Sequence, residues 1–416
     1  MKSINCFLRI IILSGFILLL FVGCGKNGIS NSPVSETKNE SGEKEICYID
    51  YDSSLNGVLL FSTGDKLSFT DLKEGGKGYV CNIPGCFHDG KNKECPAVKY
   101  AGAFYPFEYG EKIYFLFKTQ GAEFLNDTGT SYKLIEMNKD GSDYKEIYSF
   151  GENEAPCIGG KSALRVNDKM YFSMLYLKRE IDENGYDNIR ESRALIYEFD
   201  ILNMKVSQIY KAEKGYSEAI PDLWNGGDKL IVSLEYQKNS LEDSGYTNEE
   251  WMNIIMNSAN MSAEEWKTVY EKIGLTYAVS IINKKDYSAE TTAPSWKIMG
   301  VWDDKLIVQD DDELNKTHDL KFEAYDFRTK TYTDVPSPFE DYRVEPFSGG
   351  VILKNNEKNE YSVLKDGNHE PGPVRTKEKE FAIFKESKDY FYLAWFGQDE
   401  GPFDNYELVE KKTILE

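Results

Sequence analysis

From Gly110 to Tyr148 apolar and polar positions keep the rhythm of a β-sheet. Ile113, Phe115 and Phe117 interleave with Tyr114 and Leu116, and Leu134 to Asn138 follows beyond a polar stretch. Side chains of a strand point alternately to its two faces, so this spacing predicts strands. Asp140-Gly141 then supplies the positive φ that a tight hairpin requires.

The same unit recurs along the chain. A polar or glycine turn precedes an apolar strand at Asn56–Phe61, Gly110–Phe115, Asn167–Phe172, Gly227–Val232, Asp303–Val308, Gly349–Lys354 and Lys388–Leu393. Each is followed by a second strand-like segment: Lys66–Leu72, Tyr132–Gly141, Ala194–Asn203, Leu275–Asp286, Leu320–Lys330, Glu360–Asn368 and Asn405–Lys412. One hairpin cannot bury its own apolar face, so repeated hairpins predict a stacked or radial array. No βαβ alternation and no glycine-rich nucleotide loop interrupts them. The fold class expected is all-β, a β-propeller of seven blades, with six or eight as alternatives. The early strand Ile46–Tyr51 is expected to complete the last blade beside Tyr406–Ile414.

One stretch has helical spacing. Thr247 and Glu250 read as a capped start, with Trp251, Ile254 and Ile255 on one face. Ser262 and Glu265 repeat the capping pattern, and Trp266, Val269 and Ile273 form a stripe ending at Gly274. A helical insert at 247–274 is therefore expected between two strands of one blade, its tryptophans packing on the array or offering a ligand surface.

Composition narrows the function. The chain has 416 residues, with 14% aromatics that include 28 Tyr and 23 Phe, a balance that suits strands. Its net charge of -21 argues against binding a nucleic-acid backbone. There is no Gly-x-Ser-x-Gly elbow and no His-Glu-x-x-His helix. The acidic stretch Asp182–Asp187 lacks the spacing and closing glutamate of a calcium loop and reads as a solvated turn.

The N-terminus reads as an export signal. Lys2 and Arg9 precede an apolar run from Ile10 to Val22, followed by Gly23-Cys24. Residues 25–44 are polar and glycine-rich, the composition of a flexible tether. The seven cysteines and three histidines are unevenly spread, for Cys81, Cys86, His88 and Cys95 fall together in the loop 81–97. Four such side chains are the number a structural Zn²⁺ takes. The Cys-x4-Cys-x-His spacing is not a common zinc spacing, and export permits disulfides. A disulfide is the preferred reading, structural zinc the alternative and unpaired thiols the third. With Cys24 set aside, Cys47, Cys81, Cys86, Cys95 and Cys157 are odd in number, so at least one stays free. No second histidine or set of carboxylates leaves an open metal position, so no catalytic role is expected for the loop.

Phe21-Val22-Gly23-Cys24 resembles the lipobox of bacterial lipoproteins, with Phe21 where leucine is usual. The resemblance implies cleavage after residue 23 and acylation of Cys24, hence a signal peptide 1–23, a tether 24–44 and a propeller domain 45–416. Lys112–Phe115 and Leu134–Asp143 resemble the blade signature of Firmicutes lipoproteins with TolB-like β-propeller repeats. That family also tends to carry a Cys-x4-Cys-x-His segment followed by a cysteine near the N-terminus. It implies no defined activity and no catalytic residues. The expectation is a non-catalytic, lipid-anchored binding or scaffold protein on the extracytoplasmic face of the membrane, recognising a protein or a cell-surface glycan. No nucleic-acid partner and no cofactor beyond the alternative zinc is expected. An envelope sensor or assembly factor, and a propeller-type carbohydrate-active enzyme using two facing carboxylates, are the alternatives.

Overall fold

The computed structural model describes residues 46–49, 58–63, 66–71 and 77–415, apart from 119–130, 158–160, 182–186, 213–215, 241–242, 258–260, 293–295, 311–321, 376–379, 387–388 and 397–405. The described strands form seven antiparallel sheets in chain order. The first holds β2 (Val58–Thr63), β3 (Lys66–Asp71) and β4 (Lys77–Tyr79). The second holds β5 (Phe104–Tyr109), β6 (Lys112–Lys118), β7 (Tyr132–Asn138) and β8 (Lys145–Ser149). In the third, β10 (Ala163–Val166), β11 (Lys169–Ile181), β12 (Asp187–Asp200) and β13 (Lys205–Lys211) are joined by β1 (Ile46–Ile49) and β9 (Glu154–Pro156).

The fourth sheet is β14 (Tyr216–Gly226), β15 (Lys229–Gln237), β16 (Leu275–Asn283) and β17 (Ala289–Thr292). The fifth is β18 (Trp296–Trp302), β19 (Lys305–Asp310), β20 (Phe322–Asp326) and β21 (Thr331–Asp334). The sixth is β22 (Tyr342–Phe347), β23 (Gly350–Asn355), β24 (Tyr361–Lys365) and β25 (Gly372–Pro373). The seventh is β26 (Glu380–Glu386), β27 (Tyr390–Phe396) and β28 (Tyr406–Glu410). The helices are α1 (Pro96–Lys99), α2 (Asn248–Met256), α3 (Ala263–Ile273) and α4 (Lys411–Leu415). Among the described residues no helix is long and apolar enough to cross a membrane.

This is an all-β, multi-sheet architecture of the kind a propeller is built from. Apolar clusters join the sheets. Leu67, Phe115 and Phe172 share one cluster across the first three sheets. Tyr171, Leu230 and Leu306 share the next, across the third to fifth. Ile307 with Val351, and Ile352 with Phe391, continue it to the seventh. Burying one of these larger apolar side chains is worth about 1.5–3 kcal/mol.

Four of the seven meanders have two unlike ends. The first-to-second and third-to-fourth turns share one end and are short. There a cation on one turn or strand meets an acceptor on its neighbour. Lys139 pairs with Glu108, Lys169 with Glu198 at 2.6 Å, Arg328 with Asp304 at 2.7 Å and Lys411 with Glu386 at 2.8 Å. The same end ties sheet to sheet. Tyr287 O–H donates to Glu198 at 2.9 Å, Asp303 N–H to Asp366 at 2.8 Å and Ser348 N–H to Glu386 at 2.9 Å. The long connections, β6 to β7, β15 to β16, β19 to β20 and β27 to β28, are all second-to-third strand links, and the strands they join end and begin at the opposite end.

The helical insert forms where expected, between β15 and β16. Ser262 and Glu265 make a full capping box, and Gly274 closes α3 in the left-handed region at φ 63°. Thr247 and Glu250 repeat the box at α2, with Thr247 N–H donating to the carboxylate at 2.8 Å and Glu250 N–H to the hydroxyl at 3.2 Å. Trp251, Val269 and Ile273 are buried in a small core of their own, with Trp266 and Tyr270 packed against it.

The first strand departs from expectation. β1 pairs with β10, Ile46 opposite Val166 and Ile49 opposite Ala163, and not with the last sheet. Its alternation marks a strand but carries no information about partner. The edge of β10 opposite β11 offers the ladder that β1 takes.

Candidate metal centre

Between β4 and β5 the chain makes no strand, and among the described residues the first sheet has three. Turn chemistry shapes this segment instead. Cys86 N–H donates to Ile83 O at 3.2 Å, with Gly85 at φ 70° completing the bend after Pro84. Asp89 Oδ1 accepts from Lys91 N–H and Asn92 Oδ1 from Glu94 N–H, each at 3.1 Å. Such short side-chain bonds replace the backbone ladder that this polar stretch cannot make. Cys95 then precedes α1, with Pro96 at the first helical position, where a missing N–H costs nothing.

These turns bring Cys81, Cys86, His88 and Cys95 together, their ligand atoms all within 4.8 Å of one another. His88 Nδ1 lies 3.3 Å from Cys95 Sγ, and Ile83 N–H points at Cys81 Sγ from 3.5 Å. Cys95 is buried and the other three are half-buried. Zn–S bonds of about 2.3 Å set tetrahedral ligand atoms roughly 3.8 Å apart, so small side-chain rotations close this group on one ion. Its donors, three sulfurs and one imidazole, suit a soft or borderline metal. The cluster is plausible for metal coordination on geometry and on chemistry.

Electrostatics around the donors fits an uncharged imidazole. Burial, with the Lys66 charge adding to it, lowers the His88 pKa below its usual value. Burial, with the nearby Cys95 sulfur adding to it, pushes the Cys81 thiol up to about 12. A thiol held protonated in this way becomes a metal ligand only when the ion itself takes the proton's place. Beside the cluster the Tyr79 ring stands 4.8 Å from the His88 ring, while Phe87, between two donors, is 87% exposed.

Cys81, Cys86 and Cys95 are free thiols in the structure. Cys157 stands outside the group, buried under Tyr105, whose hydroxyl donates to the Cys157 carbonyl. The sequence did not single out this contact: Tyr105 takes a φ of 49°, which no residue pattern announces. Cys24, the expected lipidation site, and the acidic connection 182–186 lie outside the described residues. The buried acids Glu108, Glu198 and Glu386 each pair with a lysine.

No family model matches the chain, and no curated protein matches it. Solved structures give distant likenesses to β-propeller proteins. Uncomplexed Pyrococcus horikoshii acylaminoacyl peptidase is 10% identical with a TM-score of 0.46, over 88% of this chain and 51% of that one. This chain therefore spans about half the length of that peptidase. Oligogalacturonate lyase in complex with manganese is 9% identical with a TM-score of 0.40, over 82% of this chain and 81% of that one. TolB from Acinetobacter baumannii is 11% identical with a TM-score of 0.29, over 86% and 80%. With TM-scores below 0.5, none of these bears on activity, and the fold rests on the chain's own sheets.

Proposed function

We propose that this chain is a lipid-anchored, non-catalytic binding or scaffold protein on the outer face of the cell membrane. It is a seven-bladed propeller that recognises a protein or a glycan through its long-connection end. The observation that carries this reading is the asymmetry of the two ends. The short-turn end carries ion pairs and turn-to-turn hydrogen bonds, while the helical pair departs from the other, where β6, β19 and β27 also end. Ile46 lies opposite Val166, next to the short turn that ends β10, so residues before β1 join the sheets at the short-turn end. An anchor at Cys24 would hold that end toward the membrane and leave the loops outward, where recognition surfaces are normally built.

In this reading Cys81, Cys86, His88 and Cys95 hold one structural zinc. Four protein donors close the coordination sphere, which leaves no position for substrate or water. An envelope sensor or assembly factor would use the same outward end and differ only in its partner.

The test incubates the purified protein with an array of cell-wall glycans and with surface proteins cross-linked to a biotinylated copy. The proposal expects retention of one ligand class and its loss when the helical pair is removed. Release of a cleaved or unsaturated glycan product would overturn the non-catalytic reading in favour of a propeller-type carbohydrate-active enzyme. Binding that survives removal of every long connection would overturn the choice of end.

A further inference from the structure

We infer that the ion held by Cys81, Cys86, His88 and Cys95 works as a joint between the first and second sheets, an inference that rests on the structural-zinc reading. The segment carrying the donors has both of its ends seated on one residue of the second sheet, Gly141. A Cβ there would stand 3.0 Å from Pro96 Cβ and 3.1 Å from the Val80 carbonyl oxygen. Gly141 also takes φ 85°, so it is required by conformation and by space alike. Val80 leads into Cys81, and Pro96 follows Cys95. The two residues that touch Gly141 are thus the chain neighbours of the first and last donors.

Gly141 belongs to a rigid turn. Its N–H donates to Asn138 O at 2.9 Å, Asp140 Oδ1 accepts from Ser142 N–H at 2.9 Å, and Asn138 Nδ2 donates to Ser142 Oγ at 2.8 Å. Past Pro96 the contact widens. The Lys99 ammonium lies 4.4 Å over the Tyr144 ring, and Tyr100 meets Phe115 and Phe117 with ring centroids 5.1 Å apart.

On the first-sheet side Val80 N–H donates to Leu67 O at 3.1 Å, continuing the ladder of β4. The donor segment between them is mostly exposed, and only Cys95 is buried in it. With no apolar core, what fixes the distance between Val80 and Pro96 is closure of the four donors on the ion. Coupling is reciprocal: an ion that seats Pro96 on Gly141 must bind more weakly when Gly141 cannot receive it.

The experiment is hydrogen exchange of the zinc-loaded protein, before and after a chelator, with zinc stoichiometry followed by native mass spectrometry. Exchange at 100–104 and 138–148 should accelerate about tenfold or more on zinc removal, while α3 and the fifth sheet stay unchanged. The variant Gly141→Ala should weaken zinc binding about tenfold although Gly141 offers no ligand. Gly110→Ala is the control, since it shares a positive φ with nothing within 4 Å of its Cβ position. If one zinc binds but exchange at 138–148 does not respond, or both variants bind zinc alike, the joint is wrong and the zinc site stands. If no zinc binds, the zinc reading fails and the joint with it.

Discussion

Two segments leave the repeat, and they are held by opposite means. Residues 238–274 leave the fourth sheet and build a core of their own, with Trp251, Val269 and Ile273 buried and both helices boxed at their starts. Residues 81–95 leave the first sheet with almost nothing apolar to bury, and their order comes from turns and four converging donors. The first segment carries its own stability and is an addition to the sheet. The second has none to spare, and stands where the first sheet would have its fourth strand. Size is therefore a poor guide to importance here: with an ion on its donors, the shorter excursion is expected to matter more to the fold.

Breaking the donor set should have the largest effect. Cys95→Ser removes a buried ligand and should cost several kcal/mol, with a fall in Tm on the order of 10 °C. Cys86→Ser should act in the same direction. Differential scanning calorimetry with and without chelator checks this, and the chelator should lower the wild-type Tm and leave the variants unmoved.

Emptying the insert's core comes next. Trp251→Ala should cost about 3 kcal/mol or more, but locally. Proteolysis within 238–274 should rise while the sheet transition keeps its Tm. A matching fall in the main transition would show that the insert is part of the common core and undo the contrast.

Removing the insert altogether should cost less than spoiling its core. Gln237 and Leu275 are already paired, so an Asn-Gly bridge closes β15 onto β16 as a two-residue hairpin. Each halving of a loop favours closure by roughly 0.6 kcal/mol, so the deletion should leave Tm unchanged or slightly raised, as circular dichroism melting will show.

Acid should loosen the helical insert weakly, beside its effect on the metal donors. Backbone N–H donation from Thr247 and Ser262 holds Glu250 and Glu265 below the usual carboxylate range. Their contribution is thus present above that range and fades as pH falls through the lowered values. Far-ultraviolet helix signal should decline over that window before the sheet signal does.

Much of this was legible in the sequence, and the limits have physical reasons. Period-two alternation marked the strands, and Ser262 with Glu265 and Thr247 with Glu250 announced their helices, because both signals are local. The cluster of Cys81, Cys86, His88 and Cys95 stood out by its density. Pairing was harder: Ile46–Ile49 reads as a strand, but only the edge of β10 opposite β11 decides where it lies. Nor could Asp140-Gly141, a routine hairpin turn by sequence, reveal that Gly141 is the seat for Val80 and Pro96. That contact joins residues far apart in the chain through the absence of a side chain.

The central claim, that four side chains in 81–95 hold one structural ion, is tested most directly by native mass spectrometry with thiol titration on protein purified without reductant. The account predicts one zinc per chain, with the thiols of Cys81, Cys86 and Cys95 becoming reactive only after a chelator removes it. A metal-free chain lacking two hydrogens, with a disulfide mapped between any two of these cysteines, would contradict it.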